Sequence, residues 1–240
     1  NNGITVQILS SGVNLYNNFR KQGVDVAYVA LDPDQITSLE KMSREGKWLA
    51  IPNEGSVVSY LTLNRNQKPL DKVEVRQAIA AMIDRELIFD RALANKTMDG
   101  MLEFDIHTVE STSAFKNIGK GLYPGFLLSW YPDYLDADNY IQPFLSCEKG
   151  SVEKGCIEGG SQTQGSFFYS EKMNELISQQ RQEQNPEKRK AILDEIQEIL
   201  SEEVPYVPLW QSTDYVFAQN GITGVQLDAT QNLIYRNIKK

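Results

Sequence analysis

Ser129-Trp130-Tyr131-Pro132-Asp133-Tyr134-Leu135-Asp136-Ala137-Asp138-Asn139-Tyr140 is the stretch from which the chain is best read. It follows Gly125-Phe126-Leu127-Leu128, a short apolar run that reads as a buried strand. It leads into an amphipathic helix, with Ala137, Tyr140, Ile141, Phe144 and Leu145 spaced to share one face. Asp136 suits the N-cap of that helix, because its carboxylate accepts from first-turn N–H groups that otherwise lack partners. Asp138, in the first turn, complements the helix dipole. The strand-to-helix loop therefore presents Trp130, Tyr131, Tyr134, a proline and one carboxylate without capping duty, Asp133. Aromatic faces beside an uncommitted anion suit a cationic, partly apolar ligand.

Toward the N-terminus, Ile4 to Leu9 and Val24 to Val29 alternate as strands do, with a short helix from Leu15 to Lys21 between them. Asp32-Pro33 opens a helix to about Arg44. Two strands follow, Trp48 to Ile51 and Val57 to Leu63, an alternation that favours an α/β layer with some parallel pairing. Asp71 with Glu74 forms a capping-box variant, with Leu70 and Val75 at the staple positions. The helix they open buries Val75, Ala78, Ile79, Met82 and Ile83 and runs to Leu93, with Arg76, Asp84 and Arg85 on its solvated or locally paired face.

Toward the C-terminus, Met101 to Ile106 reads as a strand, Ser111 to Lys120 as a weak helix, and Gly159 to Gly165 as a polar loop. Ser170 caps a helix burying Met173, Leu176 and Ile177. Asn185-Pro186 opens another, with Ile192, Ile196, Ile199 and Leu200 inside and Pro205 ending it. Strands are expected at Tyr206–Trp210, Tyr215–Ala218 and Thr223–Leu227, and the tail from Asn232 carries too little pattern to assign.

Composition narrows the class. With 240 residues, 41% hydrophobic and 23% charged, the chain is globular, with room for one large or two modest domains. A net charge of −8 argues against nucleic acid, whose phosphates are met by Lys and Arg. No apolar run approaches the ~20 residues that cross a bilayer. No export signal opens the chain, so any such signal is expected to have been removed already. Cys147 and Cys156 enclose a Gly-rich, charged loop that closes without strain, so a disulfide and an oxidising compartment are expected; free surface thiols are the alternative. Two thiols without a nearby histidine do not make a metal site, and no cofactor is expected.

Three stretches, in order, resemble the solute-binding proteins of oligopeptide and dipeptide ABC transporters, family 5. The first is Leu63-Asn64, Pro69-Leu70 and Val75-Arg76-Gln77-Ala78-Ile79 with Ile83-Asp84-Arg85. The second is Trp130 to Asn139, similar to a W-x-x-D-Y-x-D-x-D-N signature. The third is Val204-Pro205-Tyr206-Val207-Pro208-Leu209-Trp210. The resemblance implies a bilobal α/β fold of the periplasmic-binding-protein type II (Venus-flytrap) class, closing over a ligand. Residues 1–66 with 207–240 would form part of the first lobe and 67–206 part of the second. It also implies that Asp133 holds a peptide's α-ammonium, that Trp130 lines the same pocket with Tyr131 and Tyr134, and that a monomer delivers peptides to a membrane permease from the periplasm or cell exterior. The family carries a long region before Ile4 and a longer stretch before Met101. The fold is therefore expected to be incomplete, the chain a fragment or short form.

Other chemistry is weaker. Asp133 with Asp136 or Asp138 would suit a sugar-binding protein or a glycoside hydrolase, but helix capping accounts for Asp136 and Asp138. His107 stands alone, without a nucleophile elbow, and reads as a surface residue. A pure interaction module overlaps with a binding protein that docks a permease. No enzyme activity is expected.

Overall fold

The structure, a computed structural model, describes residues 3–9, 11–28, 31–83 and 107–240. In chain order its elements are α1 (Gly12–Arg20), β1 (Val26–Tyr28), α2 (Pro33–Arg44), β2 (Trp48–Leu63), α3 (Val73–Met82), α4 (Ser111–Ile118), β3 (Gly125–Trp130), a 3-10 turn (Ala137–Tyr140), α5 (Gln142–Leu145), β4 (Lys149–Ser151), β5 (Gly155–Glu158), α6 (Gly160–Thr163), α7 (Glu171–Gln182), α8 (Pro186–Glu203), β6 (Tyr206–Gln219) and a 3-10 turn (Tyr235–Asn237). The helix expected to reach Leu93 ends its described part at Met82, and the strand expected at Met101–Ile106 lies outside the described residues.

The caps explain where most helices start. Asp32 accepts from Gln35 N–H while the Gln35 side chain accepts from Asp32 N–H, a complete capping box with Pro33 at the first helical position. Ser170 accepts from Met173 N–H and Asn185 from Lys188 N–H, as their sequence positions require. Asp71 does not cap α3. A tight turn, Asp71 N–H to Gln67 O and Lys72 N–H to Pro69 O, delays the helix, so Lys72 stands at the N-cap without a side-chain bond.

The described residues divide into two compact units, residues 1–57 with 211–240 and residues 58–210. In the first, β1 pairs antiparallel with β6, Val26 opposite Ala218 and Tyr28 opposite Val216. Alternation on β6 sends Phe217 to one face, with Phe19, Ala27, Leu39 and Trp48, and Val216 and Ala218 to the other, with Ile222 and Val225. The Phe19 and Trp48 rings meet edge-on at 5.2 Å.

In the second unit, β2 pairs antiparallel with β3 from Val58 opposite Trp130 to Leu63 opposite Gly125. Helices α7 and α8 bury Met173, Leu176, Ile177 and Ile196 against Tyr60, Phe144, Phe168 and Tyr206. A second cluster joins Leu63, Leu70, Ile79, Val204, Val207 and Leu209, with Val75 packed on it.

Several sequence expectations are corrected. Each pair of strands read in 48–63 and in 206–218 is one long strand. Gly55 stays in β2 because a Cβ there would lie 2.1 Å from Ser212 O, so its role is close approach to β6 and not a break. The β1–β6 and β2–β3 pairs are both antiparallel, which two long meandering strands permit and a βαβ crossover would not. Ile4 to Leu9 forms no strand: alternation needs a paired neighbour, and Ile8 is 93% exposed. β3 is half-buried, with Leu127 exposed, and runs on to Trp130. Thr223 to Leu227 makes only isolated bridges, to Lys239 and Leu233. Gly159 to Gly165 contains a helical turn, α6, and not a plain loop.

Arg76 is not solvated, and its pairing is not only local. It is 3% exposed and donates to Leu70 O and, through Nε, to Glu203 O, each at 2.9 Å, with Glu203 Oε2 at 3.3 Å. One guanidinium thereby ties the start of α3 to the end of α8. His107 is exposed.

Candidate functional site

The site is built on the end of β3. The strand places Trp130 half-buried, its ring edge-on to Phe144 at 5.1 Å. The backbone then leaves the sheet through Tyr131-Pro132-Asp133-Tyr134-Leu135, and Pro132 has no N–H to continue a ladder. Tyr131 is 72% exposed and Tyr134 46%, and Asp133 is exposed between them. Asp136 caps the 3-10 turn at Ala137–Tyr140, accepting from Asp138 N–H at 2.8 Å as its sequence position requires. The expected single helix is two pieces, this turn and α5, with Ile141 between them off the regular α-helical conformation. The apolar face survives the break, for Ile141, Phe144 and Leu145 are all buried.

The three carboxylates of the loop have separate fates. Asp136 meets Arg189 of α8 in a two-point pair, at 2.8 and 2.5 Å, and this guanidinium holds its carboxyl below the usual carboxylate range against a partial burial that opposes it. Asp138 is 7% exposed and accepts from Arg181 Nε at 3.0 Å, from the Gln180 amide and from Tyr134 O–H at 3.1 Å. Its duty is thus a buried salt bridge to α7 and not only the dipole complement expected of it. Asp133 differs: among the described residues its carboxylate has no cation and no hydrogen-bond donor, while its backbone N–H donates to Asn139 Oδ1 at 3.2 Å. An exposed carboxylate next to two tyrosines in sequence, with no protein cation on it, is an arrangement that a cationic ligand could pair with.

Four side chains that sequence reasoning did not single out shape this loop: Asn139, Gln180, Arg181 and Arg189. Asn139 was visible as the end of the signature. The other three lie more than forty residues away on α7 and α8, and no local spacing marks them. The remaining motif residues are structural. Asn64, fully buried, donates to Gly121 O and Tyr123 O and accepts from Asn66 N–H, joining the end of β2 to the turn before β3. Val204 to Trp210 closes α8, with Pro205 O accepting from Leu63 N–H at 3.0 Å, and begins β6.

Cys147 and Cys156 are disulfide-bonded, with Cα atoms 5.6 Å apart, as expected. Beside them lies an open cavity of about 340 Å³ lined by Gln142, Ser146, Asn174, Ile177 and Arg181, among others, but by none of Trp130, Tyr131, Asp133 and Tyr134. Among the described residues no group of three or more His, Cys, Asp or Glu could hold a metal ion, and no helix is long and apolar enough to cross a membrane.

Comparison with known proteins places these features. Residues 1–101 match the family model described as bacterial extracellular solute-binding proteins, family 5 Middle. Over 89 residues the chain is 34% identical to a probable deoxycholate-binding periplasmic protein, YgiS, of Escherichia coli (strain K12), covering 37% of this chain and 16% of that protein. In fold it is similar to the dipeptide-binding protein of Pseudoalteromonas sp. SM9913 in complex with Met-Leu, with TM-score 0.74 at 16% identity, covering 98% of this chain and 57% of that one. It is likewise similar to NikA from Brucella suis in complex with Fe(III)-EDTA, with TM-score 0.76 at 13% identity, covering 98% and 61%. Haemophilus influenzae OppA in complex with RPPGFSPFR gives 0.74 at 15%, covering 96% and 56%. The chain therefore spans less than two thirds of the length of these relatives. Residues 1–101 thus resemble the family 5 extracellular solute-binding proteins in sequence, and nearly the whole chain has an incomplete type II periplasmic-binding-protein fold.

Proposed function

We propose that this chain is part of the substrate-binding component of an ABC importer, capturing peptides outside the cytoplasm and passing them to a membrane permease. The observation that carries this reading is the state of Asp133. Of the three loop carboxylates, it alone is left without a protein cation among the described residues, and Tyr131 and Tyr134 stand exposed beside it. A ligand ammonium would supply the missing charge, and the Trp130, Tyr131 and Tyr134 rings would shelter the side chains next to it. The compact units would correspond to parts of the two lobes, and capture would proceed by closure around the ligand, as a monomer.

Two other ligand classes fit less well. A glycoside reading needs a second free carboxylate near Asp133, and Asp136 and Asp138 are held by Arg189 and Arg181. A bile acid, the ligand named for the E. coli relative, is itself a carboxylate and would meet Asp133 as a like charge.

Calorimetry on the chain decides among these. A free-amine peptide should bind more tightly than its N-acetylated form, and Asp133→Asn should weaken the free-amine peptide by about 1.5–3 kcal/mol, the worth of a hydrogen bond to a charged group. Equal binding by the acetylated peptide, or tighter binding of deoxycholate, would overturn the assignment of Asp133.

A further inference from the structure

The loop from Tyr131 to Leu135 has little to hold it. It is outside the sheet, one of its residues lacks an N–H, and its large side chains are exposed. Two buried side chains supply the missing restraint. Asn139, 3% exposed, uses one carboxamide oxygen for two donors, Trp130 Nε1–H at 3.0 Å and Asp133 N–H at 3.2 Å. A carboxamide oxygen has two lone pairs, and both are filled; two donors also require that oxygen, not nitrogen, faces them. Asn139 is itself fixed by its own N–H, which donates to Asp136 O at 3.0 Å. Asp138 does the same for the far side of the loop, accepting from Tyr134 O–H while Gln180 and Arg181 hold it to α7.

We propose that Asn139 is a positioning residue that presets the spacing of Trp130 and Asp133, with Asp138 doing the same for Tyr134. The proposal rests on the reading of these three residues as ligand-facing. Restraint of this kind means that the aromatic wall and the anion stand in place before a ligand arrives, so binding does not also have to order the loop. It also gives each polar residue of Asp133-x-x-Asp136-x-Asp138-Asn139 a separate duty: Asp133 faces the ligand, Asp136 caps, Asp138 holds Tyr134, and Asn139 sets the distance across the turn.

Hydrogen exchange in the 240-residue chain, followed by NMR without ligand, tests this. The Trp130 indole N–H and the Asp133 amide should exchange as slowly as the β3 amides. In Asn139→Leu both should exchange roughly tenfold faster, as expected for loss of one buried acceptor, while β3 amides paired to β2 keep their rates. Asn139→Asp, which keeps an oxygen acceptor, should restore both and return the indole resonance toward its parent position. A folded Asn139→Leu with unchanged exchange at both groups overturns the proposal. If Asn139→Leu fails to fold, the parent decides: fast exchange of either group there overturns it equally. Peptide affinity is measured in parallel. Slowed exchange in a chain that does not distinguish free-amine from acetylated peptides supports the positioning role and removes the peptide reading alone.

Discussion

At the scale of single residues, partners decide what a charge is for. Asp136 and Asp133 sit three apart on the same loop, yet one is a cap and ion-pair member and the other is uncommitted. Asp136→Ala should therefore cost about 1–2 kcal/mol of stability, a lost cap plus a partly exposed ion pair that solvent screens. The pH dependence has a definite direction. The Asp136 carboxyl is lowered in the folded chain by the Arg189 guanidinium, so its contribution is fully present above the unfolded carboxylate value, about 3.9, and is lost as pH falls through the lower folded value. Urea midpoints should fall below about pH 4 more steeply for the parent than for Asp136→Asn. Parallel curves would show the pair to be idle. Arg76 is the stronger case, because its loss leaves Leu70 O buried without this donor and Glu203 O, which is partly buried, without its guanidinium bonds. Arg76→Met should cost about 2–4 kcal/mol, measured by the same denaturation.

At the scale of elements, capping and covalent closure set local stability. α4 starts at Glu110, whose carboxylate accepts from Thr112 and Ser113 N–H at 2.9 Å and is thereby held down to about 2. Its support for the helix is complete above the ordinary glutamate value, about 4.3, and fades as pH drops from there toward 2. Amide exchange across Ser111–Ile118 should rise over that window in the parent, and Glu110→Gln should show no such step. The β4–β5 hairpin is closed by Cys147–Cys156, and a loop this short adds about 2–3 kcal/mol by restricting the unfolded chain. Thiol titration of unreduced protein should find no free thiol, and two reactive thiols per folded chain would rule the disulfide out.

At the scale of the whole molecule, stability should be uneven. The unit of residues 1–57 and 211–240 is the smaller, contains the exposed apolar run Ile4, Val6 and Ile8, and carries a tail held by isolated bridges. Smaller units bury a lower fraction of their surface and are less stable for it. Native-state exchange should therefore open the Phe19–Trp48–Phe217 core at a lower free energy than the Tyr60–Phe144–Tyr206 core. One common opening free energy for both cores would show instead that β2 and β6, which run through both units, couple them into one cooperative body.

By itself, the sequence determined whatever depends on near neighbours. Asp32, Asp136, Ser170 and Asn185 stand at their caps because a cap is satisfied by an N–H two or three residues on. Met173, Leu176 and Ile177 are buried because helical spacing alone puts them on one face, and the cysteines join because their loop is short. The α/β class was legible for the same reason. What needed the tertiary structure were the features whose partners are remote in sequence. β2 and β6 are continuous because each lies along the other across more than a hundred and fifty residues of chain, and Ile4 to Leu9 fails as a strand because alternation supplies a face but not a partner. Arg76, read from the sequence as solvated or locally paired, is buried because Glu203 waits at the end of α8. Arg181 and Arg189 claim Asp138 and Asp136 across the α7–α8 packing, leaving Asp133 as the one loop carboxylate among the described residues without a cation, which local spacing could suggest but only the packing of distant helices could decide.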